Sequence, residues 1–144
     1  MDSIPCNRLY EEIQIGEKAS LTKIISHEDV VNFAKLSGDI NPIHLDDEFA
    51  SKSLFKKRIA HGILTSSLIS AVIGTKLPGI NTLYLGQTLN FLAPAFIGDK
   101  LTAIVEVVSK RDDKRIIKLK TTVINQENVE IITGEAVVKK LKDI

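Results

Sequence analysis

Between Ile59 and Thr75 the chain reads I-A-H-G-I-L-T-S-S-L-I-S-A-V-I-G-T. Ile63, Leu64, Leu68, Ile69, Ala71, Val72 and Ile73 fall on nearly every side of the helix that this spacing predicts. A helix apolar nearly all round has to be buried. It is too short to cross a bilayer, which takes about 20 apolar residues, and Thr65, Ser66, Ser67 and Ser70 interrupt it. What can cover it follows in the sequence. After Leu77-Pro78-Gly79 the period changes, and Thr82 to Ala93, Asp99 to Ser109, Arg115 to Asn125 and Val129 to Lys140 read as four long strands rich in Val, Ile, Thr and Leu. Loop signals at Pro94, Gly98, Asp112-Asp113 and Gln126 to Asn128 separate them. The connectors are short and Leu101 to Val107 alternates visibly, so the strands form hairpins in an antiparallel sheet with one face covered.

Upstream, Ala19 to Ile25 reads as a further strand. Ser26 and Asp29 form a capping-box pattern that opens a helix with Val30, Val31, Phe33, Ala34 and Leu36 on its apolar side, and Gly38 stops it. A short helical turn is expected around Asp47 to Ser53. No repeat or linker divides the chain, so residues 1–144 are read as one α+β domain in which a sheet wraps one buried helix. Such a sheet leaves edge strands, and pairing through an edge makes a dimer plausible on physical grounds alone.

Composition narrows the function classes. The 144 residues carry a net charge of +1 with both signs scattered, which argues against a dedicated nucleic-acid surface. The single cysteine, Cys6, forbids an intrachain disulfide and a Cys-rich zinc site, and it sits in a stretch expected to be mobile. The first residues lack an apolar core of the signal-peptide type, so a cytoplasmic or matrix-like protein is expected, with no membrane partner.

The chemistry-bearing residues gather in S-G-D-I-N-P-I-H, Ser37 to His44. Turn chemistry accounts for Gly38, Asp39, Asn41 and Pro42, but not for His44 close behind. A carboxylate and an imidazole held in one rigid loop can share a water and move its protons. Alternatively, Asp39 caps a turn and His44 satisfies a carbonyl. His61-Gly62 heads the buried helix, where the first N–H groups have no internal partner and the helix dipole adds positive charge. The Gly62 N–H is therefore a candidate oxyanion donor, or Gly62 simply allows close packing. Both features together suit addition of water across an α,β-unsaturated thioester, which needs no metal, flavin or covalent nucleophile. Asp39, His44 and His61 match no standard metal-ligand spacing, and no cofactor is expected. Lys110, Arg111, Lys114 and Arg115 around Asp112-Asp113 read as a solvated hairpin tip, or as a contact for an acidic group such as a coenzyme A phosphate.

Leu36 to His44, L-S-G-D-I-N-P-I-H, resembles the hydratase motif of the MaoC-like, (R)-specific enoyl-CoA hydratases. The resemblance continues through Ala60 to Leu64, Leu77-Pro78-Gly79, Tyr84 to Phe91, Pro94, Gly98-Asp99 and Gly134 to Val138, nearly the whole chain in order. It implies a hot-dog fold, usually dimeric, and reversible syn hydration of trans-2-enoyl-CoA to (R)-3-hydroxyacyl-CoA. By position it makes Asp39 and His44 the water-activating pair, Gly62 the backbone oxyanion donor and Asn41 a supporting residue. The acyl pocket is expected between the buried helix and the last strand, with Ser70, Ile73 and Val137 at its floor. Three alternatives stay open. A thioesterase of the same fold is disfavoured, because Gly62 to Thr75 contains no Asp or Glu. A (3R)-hydroxyacyl-carrier-protein dehydratase would use the same residues. A non-catalytic acyl-binding domain would have little need of them.

Overall fold

The computed structural model describes residues 4–142. The buried helix is α4 (Gly62–Thr75), preceded by α1 (His27–Ser37), α2 (Pro42–Leu45) and α3 (Asp47–Ser51). Six antiparallel strands form one sheet: β1 (Lys18–Ile24), β2 (Thr82–Gln87), β3 (Asn90–Phe91), β4 (Lys100–Arg111), β5 (Ile116–Ile124) and β6 (Glu130–Lys140). They lie in the order β1-β4-β5-β6-β2, with β3 also paired to β6. This is the α+β, hot-dog arrangement that the sequence implies.

Alternation builds the core. Leu101, Ala103, Val105 and Val107 of β4, Ile117, Leu119 and Val123 of β5, and Ala136 and Val138 of β6 are all buried against Leu68, Ile69, Val72 and Ile73 of α4. Burying one such side chain contributes about 1.5–3 kcal/mol, so this layer dominates the favourable side of folding. The residues between them, among them Thr102, Glu106, Lys118, Lys120, Glu135 and Lys139, take the opposite face. The capping box at α1 forms as the pattern predicts. Ser26 Oγ accepts from the Asp29 N–H at 3.0 Å, and Asp29 Oδ2 accepts from the Ser26 N–H at 2.9 Å. Gly38 ends the helix with φ 82°, a left-handed conformation that costs glycine nothing.

Two expectations need correction. The run Thr82 to Ala93 is not one strand. Register slips between Tyr84 and Gly86, and the ladder breaks after Gln87. There the Thr88 carbonyl presses onto Gly134, where a Cβ would lie 1.9 Å from that oxygen. The Gln87 amide fills the break, donating to Thr88 O at 2.8 Å and to Thr121 Oγ1 at 2.9 Å. The stretch around Cys6 is also not loose. Its N–H donates to Thr75 O at 2.7 Å, the Arg8 N–H to Pro78 O at 2.9 Å, and Cys6 O accepts from the Ile80 N–H at 2.8 Å. A short 3-10 turn, Tyr10–Glu12, follows and buries the Tyr10 ring. No helix among the described residues is long and apolar enough to cross a membrane.

Candidate active site

The loop between α1 and α2 is a chain of side-chain-to-backbone hydrogen bonds. Ser37 Oγ accepts from the Asp39 N–H at 3.1 Å, Asp39 Oδ1 from the Asn41 N–H at 3.3 Å, and Asn41 Oδ1 from the Ile43 N–H at 3.1 Å. Asn41 is thereby the N-cap of α2, with Pro42 in its first turn. Capping by Asn41 starts the turn that carries His44 inward, to 8% exposure.

His44 Nδ1 lies 2.7 Å from the Ile59 carbonyl oxygen. A carbonyl can only accept, so Nδ1 carries the proton and Nε2 of the neutral ring keeps a bare lone pair. That Nε2 faces Asp39 Oδ2 across 3.8 Å, too far for a direct hydrogen bond. The Asp39 side chain is 52% exposed. Both groups are therefore acceptors turned toward one small gap, the arrangement that can hold a water by its two hydrogens.

Gly62 opens α4 next to this gap. His61 provides no side-chain cap and the first turn contains no acidic residue, so the helix itself does not neutralise its positive end. The Phe91 ring packs on Gly62, and a Cβ there would come within 2.7 Å of it. Gly62, Ile59, Ala60, Ile63 and Phe91 line a mainly apolar cleft of about 510 Å³ that runs on to Leu92 and Ile132. Asp39 and His44 adjoin this cleft through Ile59 and His61 rather than lining it. A second cleft of about 380 Å³ lies on the other side of Ile63, between Phe33, Ser66, Ser67 and Ser70 on one wall and Tyr84 to Gln87 on the other.

Of the residues expected at the acyl floor, Ser70 lines the second of these clefts. Ile73 is buried within the core, and Val137 has the parity of Lys139 and Glu135, on the sheet face turned away from α4. For Val137 strand parity decides this: it alternates with the buried Ala136 and Val138 of β6. The Phe91 rim and Phe55 were missed, because the sequence gives no sign that β3 folds back over the start of α4. Asp39, His44 and His61 do converge, with one ligand atom from each within 4.8 Å of the others. They are the group that would have to hold a cation here. His44 Nδ1 and His61 Nε2 already face carbonyls, however, which leaves one ring nitrogen on each.

A buried helix laid on an antiparallel sheet, with an aspartate and a histidine across its N-terminus, defines a hot-dog domain of the hydratase type. Comparison with known proteins places it further. The MaoC like domain model matches residues 11–129, and the chain belongs to that family. It is 46% identical to an (R)-specific enoyl-CoA hydratase of Aeromonas caviae, over 90% of this chain and 96% of that protein. It is also 46% identical to a 3-hydroxybutyryl-CoA dehydratase of Methylorubrum extorquens, over 90% of this chain and 82% of that one. The solved (R)-hydratase of A. caviae superposes with a TM-score of 0.89 at 45% identity, covering 91% of this chain and 99% of its own.

Proposed function

We propose that this protein is an (R)-specific enoyl-CoA hydratase, adding water reversibly and syn to trans-2-enoyl-CoA. The observation that carries the reading is His44. Its Nδ1–H is committed to Ile59 O, and its bare Nε2 faces Asp39 across a gap fit for one water, beside the uncapped start of an apolar-lined helix. Asp39 and Nε2 each accept one hydrogen of that water and aim its oxygen lone pair at Cβ. As the C–O bond forms, one acceptor takes the proton and the Cα=Cβ electrons move onto the thioester oxygen. The Gly62 N–H stabilises that enolate. The proton is then returned to Cα from the same side, which gives syn addition.

The same reading includes a homodimer. β2 is an end strand of the sheet, and Tyr84, Leu85, Phe91, Leu92 and Ile63 near it are more than a third exposed. A second copy laid along β2 covers this apolar rim and closes the second cleft into a tunnel.

The test is loss of enoyl absorbance with trans-2-butenoyl-CoA, then chiral analysis of the product, with Asp39→Asn alongside. The expected result is an (R)-3-hydroxy product that the variant forms about 10²–10⁴-fold more slowly. Turnover only on longer chains, or only on carrier-protein thioesters, reassigns the substrate. Hydration that survives Asp39→Asn overturns the site, and failure on every thioester leaves a binding domain.

A further inference from the structure

His61 takes no part in the proton transfers just described, yet it touches both groups that perform them. We propose that His61 is a positioning residue, setting the distance between Asp39 and His44; this rests on the hydratase reading above. His61 Nε2 lies 3.0 Å from the Asp39 carbonyl oxygen. That oxygen only accepts, so Nε2–H is the donor and the imidazole is tied to the backbone of the residue whose carboxylate works. The same ring lies flat on the His44 ring, centroids 3.8 Å apart and planes at 28°. Phe33 packs edge-on against the His61 ring, at 4.9 Å and 60°. One side chain thus fixes the Asp39 main chain by a hydrogen bond and the His44 plane by contact.

The other nitrogen reveals what this arrangement costs. His61 is 2% exposed, and its Nδ1 is buried with no hydrogen-bond partner. A buried acceptor left unpaired lowers stability. For packing alone a phenylalanine fits the stack without that loss. The histidine is useful because its Nε2–H reaches Asp39 while its ring supports His44. The Asp39 side chain is half exposed and its loop carries Ile40 at 70% exposure, so packing alone does little to hold the carboxylate in register.

Two substitutions separate the two contacts. His61→Phe keeps an aromatic ring on His44 and removes the donor. His61→Gln removes the ring and keeps an N–H able to reach the Asp39 carbonyl. The expected result for His61→Phe is kcat lowered on the order of 10²-fold, as for an ångström-scale misplacement of a reacting group. KM should stay within about threefold, and the melting temperature should be unchanged or higher, since the unpaired Nδ1 is gone. His61→Gln should recover most of kcat. A structural residue gives the opposite order, with His61→Phe fully active and His61→Gln unstable, and that order overturns the inference. If His61→Phe does not fold, His61→Met replaces it as the variant without a donor; if neither folds, the residue is structural and the inference fails. Asp39→Asn in the same assay separates the two levels. Loss in Asp39→Asn with full activity in His61→Phe sinks only the positioning role. A wild-type chain that hydrates nothing sinks both.

Discussion

The two ends of the sheet treat their polar groups in opposite ways. At the end formed by the β4–β5 turn, charges are consumed by structure. The Tyr10 hydroxyl donates to Asp112 at 2.7 Å, and Lys110 Nζ to the carbonyls of Tyr10 and Ile13 at 2.8 and 2.7 Å. Arg115 Nε donates to Lys140 O at 2.8 Å and its Nη1 to Glu11 at 3.0 Å, while Arg111 pairs with Asp113. Lys110 and Arg115 also sit over the Tyr10 ring, 4.2 and 5.1 Å from its centroid. Lys110, Arg111 and Arg115 are three of the four cations that the sequence offered as a contact for an acidic group such as a coenzyme A phosphate. These three are bound to carbonyls and to acids of their own end. At the other end, Asp39 and His44 face each other unbonded, His61 Nδ1 is unpaired and α4 is uncapped. Charge by itself did not mark the site. An unpaired polar atom alone does not mark it either, because Thr82 Oγ1, on β2 opposite Lys140, is also buried without a partner.

The contrast is broken most severely by His44→Asn. The asparagine N–H can still donate to Ile59 O, so the fold should hold, while the base is lost. Hydration should fall about 10²–10⁴-fold with little change in melting temperature. The opposite result, an unfolded variant, would put His44 among the structural groups.

Tyr10→Phe probes the other end and should give the reverse pattern: full turnover and about 1.5 kcal/mol less stability by denaturant titration, for one bond to a charged group. It also carries a pH signature. Burial, reinforced by the bond to Asp112, pushes the Tyr10 phenol up to about 12 from 10.0. The folded state thus favours the protonated phenol. Its contribution is complete below about pH 10, where the unfolded chain is also protonated, and is lost as pH rises through the folded value near 12. The alkaline loss of stability should be shallower in Tyr10→Phe.

The smallest effect is expected at Arg8, whose guanidinium meets Glu17 at 2.8 and 3.2 Å. The Arg8 hydrogen bond holds the Glu17 carboxyl below its usual range. That stabilisation is present above the ordinary glutamate pKa and lost as pH falls through the lowered one. Arg8→Ala should cost ~0.2–1 kcal/mol near neutral pH, and the difference from wild type should vanish in acid. Activity should not change.

Local pattern carried much of this fold. α4, the Ser26–Asp29 capping box and the alternation in β4 and β5 depend on neighbours in sequence and were legible there. The gaps are non-local. The break after Gln87 exists because Gly134, nearly fifty residues on, admits the Thr88 carbonyl. Val137 alternates with the buried Ala136 and Val138, and sheet pairing rather than local sequence sets which face it takes. The four-residue helix α2 is too short to show a period and is held by Asn41 and Pro42. For the site, the types and spacing of Asp39, Asn41, His44 and Gly62 were enough to propose roles. The part of His61 was not, because a hydrogen bond to a main-chain carbonyl across 22 positions leaves no mark in a sequence.

The clamp on the N-terminal stretch has a consequence for how the molecule is made. Cys6 and Arg8 find their partners at Thr75 and Pro78, the Gly16 N–H at Val107 O, the carbonyls of Tyr10 and Ile13 at Lys110, and Asn7 at the Lys140 ammonium. A ribosome delivers those partners in that order, the last of them, Lys140, 133 positions after Asn7. Residues 6–16 are made before all of these partners and are therefore among the last to settle. Until Lys140 emerges, the nascent chain has to carry that segment without its final contacts.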